Sequence, residues 1–261
     1  MVKLIASDMD GTLLNSQKKL PVGFESMYRR LRDAGIYFVV ASGRQFYTLE
    51  KEFAHIDHDM FFIAENGGYI KWGKDVQLLK PMKTNNVEKL IKHIRSIEGA
   101  DIVLCGKEGA YVESRNERFL AEARLYYHRC TFVEDLLTVE DDVLKIAVND
   151  FHNLESTTLK SVQVFSDQFQ ISTSSSIWLD VMPIGVNKGE AIKFLQNKLG
   201  ISDEETMVFG DYLNDYEMLE AAAYSYAMGN AHDDIKKVAR FQTKTNDEDG
   251  VMLVLEELLG A

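Results

Sequence analysis

The run Val2-Lys-Leu-Ile-Ala-Ser-Asp8-Met-Asp10-Gly-Thr-Leu-Leu14 sets the architecture expected for this chain. Its first part is almost entirely apolar, which is typical of a strand buried on both faces of a parallel sheet. Two carboxylates, Asp8 and Asp10, follow one residue apart, and Gly11 comes directly after them. We predict a strand over residues 3–8 with both acids at its carboxyl end, where open α/β sheets bind their ligands. A simple turn is the alternative for a single Asp-Gly pair.

Strand-like and helix-like segments alternate in both end regions of the chain, as in a parallel sheet covered by helices. After the first strand, the N-terminal region predicts a helix over 22–34, a strand over 36–41, a helix from about Gln45, a strand over 61–64 and a hairpin near Gly73. The C-terminal region predicts helices over 188–199, 215–223 and 232–239 and strands over 206–209 and 224–227. The predicted fold class is therefore α/β, with a Rossmann-like parallel sheet at its core.

The middle of the chain has a different pattern. It predicts helices over 85–98, 115–128 and 153–165 and strands over 101–105, 110–114, 143–149, 168–173 and 177–182, with Ser172–Ser176 as a turn. Several of these strands follow one another through short connections, which favours antiparallel pairing. We therefore predict an inserted α+β cap domain over residues 82–183, bordered by proline and glycine. Residues 1–81 and 184–261 then form the core domain.

Composition and charge exclude several classes of protein. The chain has 261 residues, 46% of them hydrophobic, and a formal net charge of −12. A general nucleic-acid-binding protein needs a basic face, so we expect no nucleic-acid partner. The sequence has neither a long apolar run nor the pattern of a signal peptide, so we expect no membrane association and a cytoplasmic location. Cys105 and Cys130 lack metal-site spacing, and we interpret both as structural.

A second acid-bearing segment strengthens the functional interpretation of Asp8. Phe209-Gly210-Asp211-Tyr-Leu-Asn214-Asp215 again places a glycine and carboxylates after a predicted strand. Two carboxylates about 4 Å apart repel by about 4 kcal/mol at an effective dielectric constant of 20, so a cluster of Asp8, Asp211 and Asp215 requires a positive charge. Oxygen ligands without a neighbouring histidine or cysteine favour a hard cation, and Mg²⁺ fits best.

Two further segments are suited to binding phosphate. Ser42-Gly43-Arg44 ends the second predicted strand just before a helix, where free backbone N–H groups favour an anion. Lys188 opens another predicted helix and supplies an ammonium group. Each has a simpler interpretation, a helix cap for Ser42 and a solvated lysine for Lys188. Their shared position after strands of one sheet favours the functional interpretation.

These motifs, in this order and spacing, resemble the haloacid dehalogenase superfamily and, within it, the Cof-type phosphatases with a large α/β cap. The resemblance covers nearly the whole chain. The matching segments are Asp8-Met-Asp10-Gly-Thr-Leu-Leu14, Ser42-Gly-Arg44, Lys188 and Gly210-Asp-Tyr-Leu-Asn214-Asp215, joined by Glu65-Asn-Gly67, Ala227-Met-Gly-Asn-Ala231 and Asn246–Val251. The resemblance implies a phosphoric monoester hydrolase in which the insertion supplies substrate specificity.

The resemblance also implies a role for each matching residue. Asp8 is the expected nucleophile and Asp10 the expected general acid and base. The phosphoryl group is expected to contact Met9, Ser42, Gly43, Lys188 and Asn214. Mg²⁺ is expected at Asp8, the backbone carbonyl of Asp10, and Asp211, with Asp215 in support. Candidates for substrate contact are Arg44, Asn66 and Asp180, with Trp178 as a further possibility in the insertion.

The sequence leaves other activities open beside a Mg²⁺-dependent phosphatase of small phosphorylated metabolites, for which we expect sugar phosphates. A phosphomutase of sugar phosphates uses the same phosphorylated aspartate. A phosphorylation-dependent signalling module gathers a similar set of acids, hydroxyl and lysine, but Asp10 and the large insertion argue against it, and a catalytically silent metabolite-binding protein is disfavoured by the intact motifs. Tyr212 stands where relatives often have a small residue, so it can shape the loop and alter substrate preference. We expect a monomer or a weak homo-oligomer.

Overall fold

The computed structural model describes residues 1–56 and 60–260. These residues form two compact units, one of residues 1–43, 53–77 and 187–261 and the other of residues 44–52 and 78–186. The second unit therefore contains the predicted insertion and also the segment directly after Ser42 and Gly43. No helix in the described ranges has the length and apolar character needed to cross a membrane.

The strands and helices are numbered in chain order. The strands are β1 Leu4–Asp8, β2 Tyr37–Ala41, β3 Phe61–Ala64, β4 Tyr69–Trp72, β5 Asp75–Leu78, β6 Asp101–Gly106, β7 Ala110–Val112, β8 Cys130–Phe132, β9 Val143–Asn149, β10 Phe169–Ser175, β11 Trp178–Pro183, β12 Thr206–Gly210, β13 Tyr224–Ala227 and β14 Phe241–Gln242. The helices are α1 Phe24–Asp33, α2 Phe46–Phe53, α3 Thr84–Ile94, α4 Glu117–Tyr126, α5 Leu159–Val162, α6 Lys188–Leu199, α7 Tyr216–Glu220, α8 Asp233–Val238 and α9 Gly250–Gly260.

The sheet of the first unit has the order β14-β13-β12-β1-β2-β3-β4-β5. Strand β1 is buried along its whole length and pairs in parallel with both β12 and β2, which confirms the predicted α/β fold with a parallel core. Strand β4 then runs antiparallel to β3. Because the carboxyl ends of β1, β2 and β12 lie at one edge of the sheet, the residues that follow these strands are brought together.

Helix α1 illustrates how the sequence pattern produces the covering layer. Its buried residues Phe24, Met27, Tyr28 and Leu31 recur at the spacing of one helix face. Phe24 packs edge-on against Phe38 of β2, with ring centroids 5.4 Å apart. The apolar face of the helix is therefore buried against the sheet.

The second unit contains a six-stranded sheet of order β10-β11-β9-β6-β7-β8. Its pairs are antiparallel, as predicted, except that β7 and β8 run parallel. Two separate apolar clusters pack this unit: one joins Leu90 and Ile91 of α3 to Ile146 of β9, and the other joins Phe119 of α4 to Trp178 of β11. This mixture of helices and antiparallel strands matches the α+β pattern of the middle sequence.

Several predicted elements need correction. The turn predicted at Ser172–Ser176 lies later in the chain, at residues 176–177, because strand β10 continues to Ser175 as an edge strand whose polar side chains face solvent. The predicted helix over 153–165 is a π-helical turn at Leu154–Thr158 followed by α5 and a 3-10 turn at Gln163–Phe165. Helix α7 is shorter than predicted. Strands β8 and β14 and helix α9 were not predicted.

Candidate active site

Three carboxylates meet at the carboxyl edge of the parallel sheet. Asp8 is the last residue of β1, and Asp211 directly follows β12. One carboxylate oxygen from each of Asp8, Asp211 and Asp215 lies within 4.8 Å of the other two. The two acid-bearing strand ends therefore converge, as the sequence predicted.

Lys188 supplies a buried positive charge to this cluster. Its side chain is fully buried, and its Nζ donates hydrogen bonds to Asp8 Oδ1 at 2.5 Å and to Asp215 Oδ1 at 2.7 Å. The residue begins helix α6, whose first turn is capped by Asn187 Oδ1 accepting from the Glu190 amide at 2.8 Å. The cap fixes the start of the helix and hence the root of the Lys188 side chain.

Asp215 connects this ammonium group to the loop after β12. Its Oδ2 accepts hydrogen bonds from the backbone amides of Asp211 at 3.0 Å and Tyr212 at 3.3 Å. Both oxygens of the buried Asp215 carboxylate are thus engaged, one by Lys188 and one by the loop. This carboxylate holds the loop of Asp211 in a defined position.

Thr12 and Gly11 fix the side chain of Asp211. The Thr12 hydroxyl donates to Asp211 Oδ1 at 2.7 Å, and Thr12 is itself buried. Gly11 has a left-handed φ of 84°, and a Cβ atom there would overlap the Asp211 carboxylate. The glycine is required both for the turn and for the close approach of Asp211.

Burial, reinforced by repulsion among the acids, raises the pKa of two of the three carboxylates. Burial raises the pKa of Asp8 well above its usual value; attraction by Lys188 opposes this shift, and repulsion by Asp215 and Asp211 adds to it. Burial, followed by repulsion from Asp215, raises the pKa of Asp211 to about 6, against the hydrogen bond from Thr12. Burial alone would lower the pKa of Lys188, but attraction by Asp215 and Asp8 raises it above its usual value.

These groups match the requirements of a magnesium ion. The donor atoms of the cluster are carboxylate oxygens, which hard cations prefer. Burial and then repulsion from Asp215 raise the pKa of Asp211, and a bound cation would favour its ionised form. The residues present therefore fit the ion expected from the sequence.

The residues expected to bind phosphate lie around the same sheet edge. Met9 and Ser42 are buried, and the Ser42 carbonyl accepts from the Asn66 amide at 3.1 Å. Asn66 adopts a left-handed φ of 52°, and its Oδ1 accepts from Asn214 Nδ2 at 3.1 Å. A Cβ atom on Gly43 would lie only 2.9 Å from that Oδ1. Ser42, Gly43, Asn66 and Asn214 thus form one contiguous group.

Asp10 differs in its surroundings from the other acids. It is not part of the three-carboxylate cluster, and its side chain is 35% exposed. Its Oδ1 accepts from Lys18 Nζ at 2.6 Å. The two acids of the opening motif therefore occupy distinct environments, one buried beside Lys188 and one at the surface beside Lys18.

Two candidate substrate residues belong to the second unit. Arg44 Nη1 lies 2.9 Å from Glu52 Oε2. Asp180 is buried on β11 with its Oδ1 3.5 Å from Lys145 Nζ, so it forms a buried ion pair across the sheet. Tyr212, in the first unit, is half exposed and packs its ring edge-on against His232, with centroids 6.0 Å apart.

Sequence reasoning missed the residues that support the loop after β1. Asn230 Nδ2 donates to the Gly11 carbonyl at 2.8 Å, and Asn246 Nδ2 donates to the Leu14 carbonyl at 2.9 Å. The Asn246 amide in turn donates to Asn230 Oδ1 at 3.1 Å. Both segments entered the sequence analysis only as part of the family resemblance, and spacing alone does not show which carbonyl an asparagine reaches.

Comparison with known proteins gives a family match over nearly the whole chain. A family model described as haloacid dehalogenase-like hydrolase matches residues 5–255. The 5-amino-6-(5-phospho-D-ribitylamino)uracil phosphatase YbjI of Escherichia coli is 34% identical, over 99% of this chain and 96% of its own. A Bacillus subtilis phosphatase of the same description, YcsE, is 29% identical, over 96% of this chain and 93% of its own.

The fold is also shared with solved structures. A haloacid dehalogenase-like hydrolase from Bacteroides thetaiotaomicron superposes with a TM-score of 0.88 at 26% identity, covering 99% of this chain and 100% of its own. Sequence and structure therefore agree on the family.

Proposed function

Because the chain belongs to the haloacid dehalogenase-like hydrolases, we propose that it is a Mg²⁺-dependent phosphatase of small phosphorylated metabolites, with sugar phosphates as the expected substrates. The observation that carries the proposal is the Asp8 carboxylate, held at the end of a buried strand by the Lys188 ammonium group. A rigid strand end fixes an attacking group better than a mobile loop does. The phosphatase names of its relatives support the same class of reaction.

In the proposed reaction, an oxygen of Asp8 attacks phosphorus and forms a new P–O bond while the bond to the leaving oxygen breaks. Asp10 gives its proton to that oxygen, so the leaving group departs as an alcohol. Asp10 then takes a proton from water as the water oxygen attacks phosphorus. The bond to Asp8 breaks, inorganic phosphate leaves and the Asp8 carboxylate is restored.

Charge compensation is the main task of the surrounding residues. A phosphate dianion is repelled by a carboxylate nucleophile unless positive groups are placed beside both. We assign the phosphoryl oxygens to the Ser42 hydroxyl, the Asn214 amide, Lys188 and the backbone amides of Met9 and Gly43. Lys188 suits this task because it is buried and already contacts Asp8.

The metal ligands in this proposal are Asp8, Asp211 and the backbone carbonyl of Asp10. When bound there, Mg²⁺ would polarise the phosphoryl group and offset negative charge. Asp215 is assigned a supporting role, because its two oxygens already accept from Lys188 and from the amides of the loop after β12.

Substrate selection is assigned to the second unit, with residues 82–183 as the proposed cap. Arg44, Asn66 and Asp180 remain the candidates for contact with the leaving group, with Trp178 as a further one. A cap that limits the access of bulk water would strengthen the electrostatic contacts around the reacting group. A cytoplasmic location is part of the same proposal.

The proposal is tested by phosphate release from p-nitrophenyl phosphate and from a panel of sugar phosphates, with Mg²⁺ or with a chelator. Phosphate release that requires Mg²⁺ and is absent from the Asp8→Asn variant would support the proposed phosphatase activity. Isomerised sugar phosphate without free phosphate would indicate a phosphomutase. A long-lived phosphorylated protein without turnover would indicate a signalling module.

A second candidate substrate comes from the relatives. The Escherichia coli protein is named for a pyrimidine that carries a phosphorylated ribityl chain. Its match extends over 99% of this chain, so a phosphorylated ribityl compound belongs in the panel. A value of kcat/KM for this compound above those for simple sugar phosphates would favour it.

A further inference from the structure

A lysine outside the family motifs contacts the proposed general acid. Lys18 Nζ lies 2.6 Å from Asp10 Oδ1, and the two residues are eight positions apart. Their side chains are 64% and 35% exposed, respectively. An exposed ion pair of this kind adds about 0–1 kcal/mol to folding stability, so stability is a weak explanation for so specific a contact.

The backbone around Lys18 is shaped into a closed turn. Lys18 itself has a left-handed φ of 60°, which is uncommon for a residue other than glycine. Its amide donates to the Asn15 carbonyl at 2.8 Å, and Asn15 Oδ1 accepts from the amides of Gln17 and Lys19, each at 3.0 Å. These hydrogen bonds compensate the unfavourable backbone geometry and fix the position of the Lys18 backbone, from which its side chain extends.

The same turn is anchored to the rest of the first unit. The Ser16 amide donates to Asp247 Oδ1 at 2.8 Å, and the Ser16 hydroxyl donates to Asp247 Oδ2 at 2.5 Å. The Leu14 carbonyl, just before the turn, accepts from Asn246. The chain that leads into Lys18 is therefore held by Asn246 and Asp247, and this anchoring fixes the position from which the Lys18 side chain reaches Asp10.

We propose that Lys18 is a positioning residue that holds the Asp10 carboxylate in the orientation needed for proton transfer. The inference rests on the proposed function, because it concerns the group that protonates the leaving oxygen. Asp10 is more exposed than the buried acids, so packing constrains its carboxylate less and the contact with Lys18 matters more for its orientation. Small displacements of a reacting group reduce rates steeply, so loss of this contact is expected to reduce turnover without unfolding the protein.

The role predicts a dependence on the leaving group. Lys18→Met should lower kcat/KM for an alkyl phosphate by about 10-fold, because the alkoxide must be protonated as it leaves. The same variant should lower kcat/KM for p-nitrophenyl phosphate by less than about 3-fold, because nitrophenolate leaves without a proton. Lys18→Arg should keep most of the activity, since it retains the charge. Lys19→Met is the matched control: Lys19 is in the same turn and has no ion-pair partner among the described residues.

A double-mutant cycle provides the sharpest test. If Lys18 acts through Asp10, then adding Lys18→Met to Asp10→Asn should change kcat/KM for the alkyl phosphate by less than about 2-fold. The positioning role would be overturned if Lys18→Met lowered kcat/KM equally in the wild-type and Asp10→Asn backgrounds, or equally for both substrates. It would also be overturned if Lys18→Met were as active as Lys19→Met. Absence of Mg²⁺-dependent phosphate release by the wild-type protein is a separate result, since it would overturn the proposed function itself.

Discussion

The ammonium group of Lys188 lies 2.5 Å from a carboxylate oxygen of Asp8, although the two residues are 180 positions apart in the chain. The contact joins the start of helix α6 to the end of strand β1, and both side chains are buried. Among the described residues, Lys188 is the only positively charged one in contact with the three-carboxylate cluster. Its ammonium group lies beside the proposed nucleophile, Asp8. Stability, metal binding and catalysis are therefore expected to depend on the same few groups.

Removal of Lys188 should affect both folding and turnover. Lys188→Met leaves Asp8 and Asp215 buried without their shared partner, and such a loss costs about 3–5 kcal/mol in the free energy of unfolding. Activity should fall by more than about 100-fold, because the phosphoryl group loses its ammonium contact. Urea unfolding and phosphate release at pH 7 measure the two effects.

The control for this variant is Lys193→Met in the same helix. Lys193 is 54% exposed and pairs with Glu190 at the surface, so its loss should change the unfolding free energy by less than about 0.5 kcal/mol. A Lys188→Met protein with the stability and activity of this control would contradict the role given to Lys188.

The raised pKa of Asp211 makes metal-free stability depend on pH. In the folded protein this pKa is about 6, above its value in the unfolded chain, so folding favours the protonated carboxyl. The stabilising contribution of Asp211 is complete below the pKa of this carboxyl in the unfolded chain, ~4. It is lost as pH rises through about 6, the pKa in the folded protein. In the presence of a chelator, Asp211→Asn should therefore be more stable than wild type above pH ~6. The difference in the free energy of unfolding should shrink toward pH ~4.

Added Mg²⁺ should reverse this trend. The ion requires ionised carboxylates, so its stabilising effect should grow as pH rises through about 6 and be absent from Asp211→Asn. Thermal unfolding with chelator or Mg²⁺ across this range measures both trends. Identical pH profiles for wild type and Asp211→Asn would count against the assignment of Asp211 to the metal.

Thr12 is expected to tune metal affinity through Asp211. Thr12→Val keeps the shape of the side chain but removes the hydroxyl that donates to Asp211 Oδ1. Loss of such an orienting hydrogen bond typically weakens metal affinity by about 10–100-fold. The Mg²⁺ concentration for half-maximal activity should rise accordingly, whereas Thr12→Ser should stay close to wild type. An unchanged Mg²⁺ dependence in Thr12→Val would show that Asp211 is oriented by other contacts.

Gly11 and Gly23 form a matched pair for testing the turn after β1. Both have φ of 84°, but a Cβ atom meets the Asp211 carboxylate at Gly11 and nothing within 4 Å at Gly23. Each substitution by alanine should cost about 1 kcal/mol in stability from backbone strain. Only Gly11→Ala should also abolish Mg²⁺-dependent activity. Comparable activity in the two variants would mean that Asp211 tolerates displacement.

The convergence of the main site residues was predictable from sequence because it follows from topology. Asp8, Ser42 and Asp211 each end or follow a strand of one parallel sheet, and carboxyl ends of parallel strands lie at one edge. Lys188 was predicted at the start of its helix. The contacts that hold these residues were not predictable, because the reach of Thr12 and Lys18 depends on loop geometry that periodicity does not encode.

Some elements of the fold escaped prediction for related reasons. Strands β8 and β14 have three and two residues, too few for an alternating pattern to be read. The run Ser172–Ser175 has the composition of a turn but lies in an edge strand, where pairing with β11 on one side is sufficient and polar side chains face water. The assignment of residues 44–52 to the second unit depends on tertiary contacts rather than on composition.

The central claim is that Asp8 is the nucleophile. It is tested most directly by stopping the reaction with acid during turnover of a phosphorylated substrate with Mg²⁺ and measuring the mass of the protein and its peptides. We predict one phosphoryl group on the peptide that contains Asp8 in the wild-type protein and none in a folded, inactive Asp8→Asn variant. Undiminished phosphate release by Asp8→Asn, or a phosphoryl group on a different residue, would contradict the claim.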